Sequence, residues 1–432
     1  MKNIKDKIIN FFPSVSEGIH SESQYKIIYI LPVMTLLFAF VYNSPLEIVN
    51  GLIKIILIND QFATDYTYAV STGAALANSA IIVLLNIWLI RKLDFKLNGM
   101  LISALFLLSG FAFVGKTLFN IWPFYIGGYF YAKVRKIDYR STFVTSMYST
   151  ALAPIVMVIA NNFSVNPAAA VILGYMIGIF LGYVMPEISK QVLVAHSGYN
   201  LHNAGFAAGF LGIIANSILL AFAKPIHSEN IINPNMDIKL FIFFGVYFLI
   251  LILLGYIYNG YSFAGYNKLL SYSGRLITDF TKLCGTPLTL INMGFVGLMA
   301  LAYIILMGAN LNGAVIAGLL CVTGFASFGN HPKNIASILL GIMIASNFVT
   351  SDVSYTMTVI AGLFGTNLSP IVGEFGFIYG LIIGPLHLAL VTNIGTLHAG
   401  LNLYNNGLSG GIIAMVFTPI FDAFKFKPKG WE

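Results

Sequence analysis

The chain has 432 residues, 58% of them hydrophobic and only 9% charged, where a soluble domain carries roughly 25% charge. That balance excludes a water-soluble globular protein and implies a multi-pass helical membrane protein. The net charge of +7 accompanies no basic patch interleaved with soluble aromatics, so it reads as loop bias and excludes nucleic acid as a partner.

The first residues, 1–25, are basic and amphipathic without a small-residue cleavage site, which predicts an uncleaved cytoplasmic start. Apolar runs near the ~17–25 residues needed to span a bilayer then recur along the chain. In the first half they fall at 27–44, 69–90, 98–118, 120–133, 141–160, 167–185 and 203–222, with 189–202 read as a polar re-entrant segment. In the second half they fall at 239–258, 284–307, 312–328, 333–347, 353–372, 373–391 and 407–424, with 393–406 as a second re-entrant segment.

Internal repetition organises these runs. Gly110-Phe111-Ala112 and Gly115 recur as Gly324-Phe325-Ala326 and Gly329 (324 − 110 = 214), and the same offset pairs Thr72 with Thr286, Asn78 with Asn292 and Asn120 with Asn334. T-x-L-x-P-I-V occurs at Thr150–Val156 and again at Thr366–Val372 (366 − 150 = 216). His196, Gly198, Asn200, Asn203 and Gly205 return as His398, Gly400, Asn402, Asn405 and Gly407 (398 − 196 = 202). LIND at 57–60 echoes LITD at 276–279, pairing Asp60 with Asp279.

Seven spans per half would turn the second half upside down. Loop charge points the same way: the first-half loops 91–96 and 133–140 are basic, while their counterparts 308–312 and 346–352 hold no Lys or Arg. Conversely, the loop 259–283 carries Lys268, Arg275 and Lys282 against one Lys54 in 45–68. The expected architecture is therefore all-α and membrane-integral, with about fourteen transmembrane helices forming two inverted-topology repeats with broken segments. The repeats occupy 26–223 and 238–425, joined by an extracellular linker at 224–237 and followed by a basic cytoplasmic tail at 426–432. The expected location is the cell membrane, with both termini cytoplasmic.

Polar clusters beside apolar helices are costly unless they bind something or satisfy backbone. Substrate contacts are expected from His196, Asn200, His202, Asn203, His398, Asn402, Asn405 and Asn406 at the re-entrant segments. Asn120 and Asn334 at interrupted helices, and Thr150 and Thr366 at the proline motifs, join that set. Lys116, Lys333 and Glu374 are candidate ion-coupling groups, because charges at membrane depth are functional candidates. His387 stands alone and takes no assignment. Cys284 and Cys321 offer no disulfide framework or metal spacing. No P-loop, H-E-x-x-H or Ser/His/Asp setting appears, so no enzyme activity and no cofactor are expected.

The order of Asn330–Asn334 (NHPKN), Gly365-Thr366 and Gly400-Leu401-Asn402 resembles the urea transporter family. Asn120-x-x-Pro123, Thr150 and Gly198-Tyr199-Asn200 follow the same order in the first half. In that family two homologous halves each place an N-P motif at the start of a short helix. The resemblance implies a small-solute pathway between inverted halves, though this chain has seven expected spans per half rather than five. Seven-plus-seven nucleobase and anion carriers match that count, so an ion-coupled carrier is the alternative. A membrane scaffold or sensor is a second alternative, and self-association into a homo-oligomer fits any of the three.

Overall fold

The structure is a computed structural model that describes residues 21–58, 64–162, 166–222, 232–349, 355–399, 401–402 and 405–424. The described residues form helices α1 (Ser21–Ile28), α2 (Ile30–Ala39), α3 (Pro45–Leu57), α4 (Thr72–Lys92), α5 (Gly99–Phe111) and α6 (Trp122–Arg135). They continue with α7 (Arg140–Ser149), α8 (Pro154–Asn162), α9 (Pro167–Ala195), α10 (Asn203–Phe222), α11 (Ile238–Tyr258) and α12 (Thr286–Leu306). The last six are α13 (Gly313–Phe325), α14 (Pro332–Ser346), α15 (Tyr355–Gly365), α16 (Ser369–Phe375), α17 (Phe377–Ile394) and α18 (Asn405–Ala423).

Seven helical stretches among the described residues are long and apolar enough to cross a bilayer, or eight if a bent pair counts as one. These are the helices of a membrane protein. Fourteen full-length crossings do not follow from helix length: α5 and α13 have 13 residues each, about 20 Å against the ~30 Å of a bilayer core. Both are buried almost throughout. They pair at the centre of the molecule, where a Cβ on Gly110 would lie 2.9 Å from the Ala317 Cα and one on Gly324 would lie 2.6 Å from the Phe106 Cβ. These contacts run antiparallel, and small residues let the two backbones approach.

The offsets read in the sequence reappear as hydrogen bonds. Asn78 Nδ2 donates to the carbonyls of Ala112 and Lys116, and Asn292 Nδ2 to those of Ala326 and Asn330, each 214 residues on. These amides satisfy carbonyls just past the ends of α5 and α13, where a helix leaves its last carbonyls without partners. Asn120 bonds the Thr117 N–H and the Gly115 carbonyl, while Asn334 bonds the His331 N–H and the Gly329 carbonyl. In T-x-L-x-P-I-V the proline removes a backbone donor, and α7–α8 bends by 44° there. Thr150 and Thr366 hydroxyls turn back to the carbonyls of Met147 and Leu363.

Two sequence expectations need correction. The first re-entrant segment does not begin at 189: α9 continues through Pro186 to Ala195, and only residues 196–202 leave the helix. Asp279 matches Asp65 in geometry rather than Asp60, which lies outside the described residues. Each caps a four-residue helix and accepts from a Thr two positions on, Thr67 or Thr281. Asp279 also accepts from the N–H of Gly99 at the start of α5. A Cβ on Gly313, which starts α13, would lie 2.7 Å from Asp65 Oδ1.

Candidate functional site

The two breaks face each other across the contact of α10 with α18. A Cβ on Gly209 would meet Leu408 at 2.6 Å, and one on Gly411 would meet Phe206 at 2.2 Å, so the helices run antiparallel in close contact. Asn200 Nδ2 donates to the Gly407 carbonyl at 3.0 Å, and Asn402 Nδ2 to the Gly205 carbonyl at 3.2 Å. The exchange is reciprocal: each break satisfies backbone in the other half. His196 Nε2 pairs with Asn203 Oδ1 at 2.9 Å and His398 Nε2 with Asn405 Oδ1 at 2.8 Å. Asn203 and Asn405 then donate to the carbonyls of Ser189 and Val391.

Seven of the expected contacts, His196, Asn200, Asn203, Asn402, Asn405, Asn120 and Asn334, thus hold backbone at helix breaks and caps, while His398 bonds the Asn405 side chain and its buried Nδ1 has no partner. Thr150 also holds backbone. Gly400, Leu403 and Tyr404 lie outside the described residues. Lys116 is fully buried with its ammonium 5.3 Å from the Phe111 ring centroid, whereas Lys333 is exposed and Glu374 half-buried. The three expected coupling groups therefore occupy unlike environments.

A second polar cluster departs from the repeat. Asn367 Nδ2 donates to the Asn406 carbonyl at 2.8 Å and reaches His202 Nδ1 at 3.4 Å. Asn406 Oδ1 meets His387 Nε2 at 3.0 Å, and His387 Nδ1 meets Ser409 Oγ at 3.1 Å. All five residues are buried. At the repeat offsets, the positions matching Asn367, Asn406 and Ser409 are Ala151, Ala204 and Ala207 (367 − 216, 406 − 202 and 409 − 202). Repetition of fold therefore does not require these polar groups. The geometry also sets the tautomer of His202. The carbonyl of Asn406 needs a donor, which sets the Asn367 amide, so His202 Nδ1 accepts and Nε2 carries the proton. At His387, Nε2 donates to Asn406 Oδ1, and Nδ1 shares a hydrogen bond with the Ser409 hydroxyl, which can serve as either donor or acceptor.

His202 Nε2 faces Cys321 Sγ at 3.3 Å, and its ring lies 4.5 Å from that of Phe325. Beside it is a cavity of about 110 Å³, walled by α5, α7, α9, the 196–202 break, α10, α13 and Phe364, with Leu276 and Ile277 also in the lining. The segment that carries these two residues is tied down: Arg275 Nε donates to the Ser197 carbonyl at 2.7 Å, and its guanidinium lies 4.2 Å from the Tyr199 ring centroid. In the sequence Asn367, next to Thr366 in the second proline motif, reads as a residue that could line a pore, whereas Ser189, Cys321, His387 and Ser409 take no role there. The available signal was the contrast between polar residues in one half and alanines at matching positions in the other. Among the described residues, no three His, Cys, Asp or Glu side chains gather as a metal cage.

Apolar helices around a buried polar cluster at helix breaks define a polytopic membrane protein with an internal polar site. The chain belongs to the family described as protein of unknown function DUF1576, whose model matches residues 44–221 and 258–423. No curated protein and no solved structure matches it.

Proposed function

We propose that the chain is a transporter or channel for a small polar solute, neutral or anionic, whose pathway runs between two inverted repeats in the cell membrane. The observation that carries this reading is the buried cluster His202–Asn367–Asn406–His387, placed where helices from both halves break. Broken helices facing each other near the midplane are a recurrent device for binding a solute that has shed its water. The urea-transporter-like islands weigh toward a small neutral solute.

Contacts at the two ends of the molecule support inversion. Tyr42 bonds Asp237, Asn233 bonds Asp65, and Asn310 bonds the Pro234 carbonyl; all belong to segments expected outside. Tyr25 bonds the Phe95 carbonyl, Gly99 bonds Asp279, and Arg91 lies over the Tyr25 ring; all belong to segments expected inside. The arrangement groups the helix that starts at Ser21 with the basic loop 91–96, which favours a cytoplasmic N-terminal segment.

The test is a thermal-stability screen of purified protein against small amides, nucleobases, inorganic anions and carboxylates, with Na⁺ and pH varied. A ligand of the folded state raises the melting temperature with its concentration. Stabilisation by one class, abolished in His202→Ala, supports the reading, and a requirement for Na⁺ or low pH would make the protein a coupled carrier. Silence across the panel, with wild-type folding intact, favours a scaffold or sensor.

A further inference from the structure

We infer that the cavity beside His202 is the solute-binding subsite, and that it takes an uncharged molecule with a small apolar body and one or two polar atoms. This rests on the transport reading and narrows it. Seventeen residues line the cavity, and none is Asp, Glu, Lys or Arg. The Asn367 amide donates to His202 Nδ1, which leaves the ring neutral with its proton on Nε2. An ion entering here would lose hydration without meeting an opposite charge on any lining residue, the buried Lys116 interacting with Cys321 from outside the lining, and that is a heavy cost in an apolar surrounding.

The polar atoms on offer are few and poorly used within the fold. Ser189 is only 8% exposed, and its hydroxyl oxygen is buried with no hydrogen-bond partner. The His202 Nε2 proton meets only a sulfur, a weak acceptor. A solute carbonyl or hydroxyl could accept from His202 while a second polar atom engages Ser189. Leu107, Phe325 and Phe364 supply apolar walls for the remainder.

Cys321 provides the reporter. It lies in the cavity wall and is 1% exposed, and the only other cysteine, Cys284, can be replaced by serine. In full-length Cys284→Ser protein, methylthiolation of Cys321 by methyl methanethiosulfonate, which forms the Cys–S–S–CH3 disulfide and releases methanesulfinate, is followed by mass spectrometry. The competitors are butyramide and its charged isosteres, butyrate and n-butylammonium. Butyramide should protect saturably, slowing labelling about tenfold at ten times its half-protecting concentration, because only empty sites react. Butyrate and n-butylammonium should not protect. Ser189→Ala removes a hydroxyl that bonds nothing, so melting should stay unchanged while the half-protecting concentration rises about 2- to 10-fold, as for one lost hydrogen bond.

Equal protection by butyrate, protection unaffected by Ser189→Ala, or no protection by butyramide overturns the assignment. Butyramide flux through proteoliposomes, read alongside, separates the two claims. Protection without flux supports the subsite and removes the transport reading; flux without protection overturns the subsite alone.

Discussion

Replacing Asn78 or Asn292 by alanine should destabilise the protein by about 1–3 kcal/mol, two hydrogen bonds at ~0.6–1.7 kcal/mol each inside a membrane protein. Asn78 is 1% exposed and Asn292 fully buried, and each amide nitrogen serves two carbonyls at 2.7–2.9 Å. Those carbonyls lie just past the short central helices, and loss of the amide removes this donor from them. Asn292 should be the costlier loss, since its Oδ1 also accepts from the Tyr266 hydroxyl at 3.1 Å. Leucine at either position should not rescue, because it restores volume without a donor. The assay is equilibrium unfolding in mixed micelles under increasing SDS, followed by circular dichroism. Ser337→Ala is the control: its buried hydroxyl has no partner, so the change should stay within ~0.5 kcal/mol. Asn292→Ala costing no more than Ser337→Ala would refute the assignment of these amides as backbone satisfiers.

Gly110→Ala should cost about 1–3 kcal/mol in the same assay, because its Cβ would meet Ala317 backbone at 2.9 Å and only separation of α5 from α13 relieves it. Wild-type stability would show that this contact is loose. Arg275→Ala should leave melting nearly unchanged, since the side chain is exposed, but speed Cys321 labelling about 3- to 10-fold by loosening the segment that carries Leu276 and Ile277. Arg275→Lys should not restore the slow rate, because an ammonium has neither the fork nor the flat face that bonds Ser197 and stacks on Tyr199. Unchanged labelling in Arg275→Ala would show that Leu276 and Ile277 do not cover the route to the thiol.

The repeat was legible because it is local and periodic. Thr72 matches Thr286 and Asn78 matches Asn292, and the helices that carry them begin and end at the same offset. Helix length was less legible. An apolar run continues beyond Phe111 and Phe325, but Gly115 and Gly329 precede caps made by Asn120 and Asn334, so the helices stop early. The break at 196–202 was placed seven residues too early, because Pro186 and Ser189 look like breakers and are instead tolerated inside α9.

The candidate site was half legible for a similar reason. Asn200 and Asn402 declare themselves by repeating, yet repetition marks what both halves need, and both halves need carbonyls satisfied where helices break. His387 carries no local motif; its role comes from Asn406 and Ser409, 19 and 22 residues away and brought to it by packing of α17 against α18. A polar residue set against an alanine in the matching half is the sequence-level trace of that cluster.

The most direct test of the solute pathway is stopped-flow flux in proteoliposomes across the same amide, nucleobase, anion and carboxylate panel. It compares wild-type protein with a His202→Ala variant verified to melt normally. The account predicts protein-dependent flux of a small polar solute that falls at least tenfold in the variant. Flux that survives His202→Ala unchanged would contradict a pathway through this cluster, and no flux for any solute from correctly folded protein would contradict transport itself.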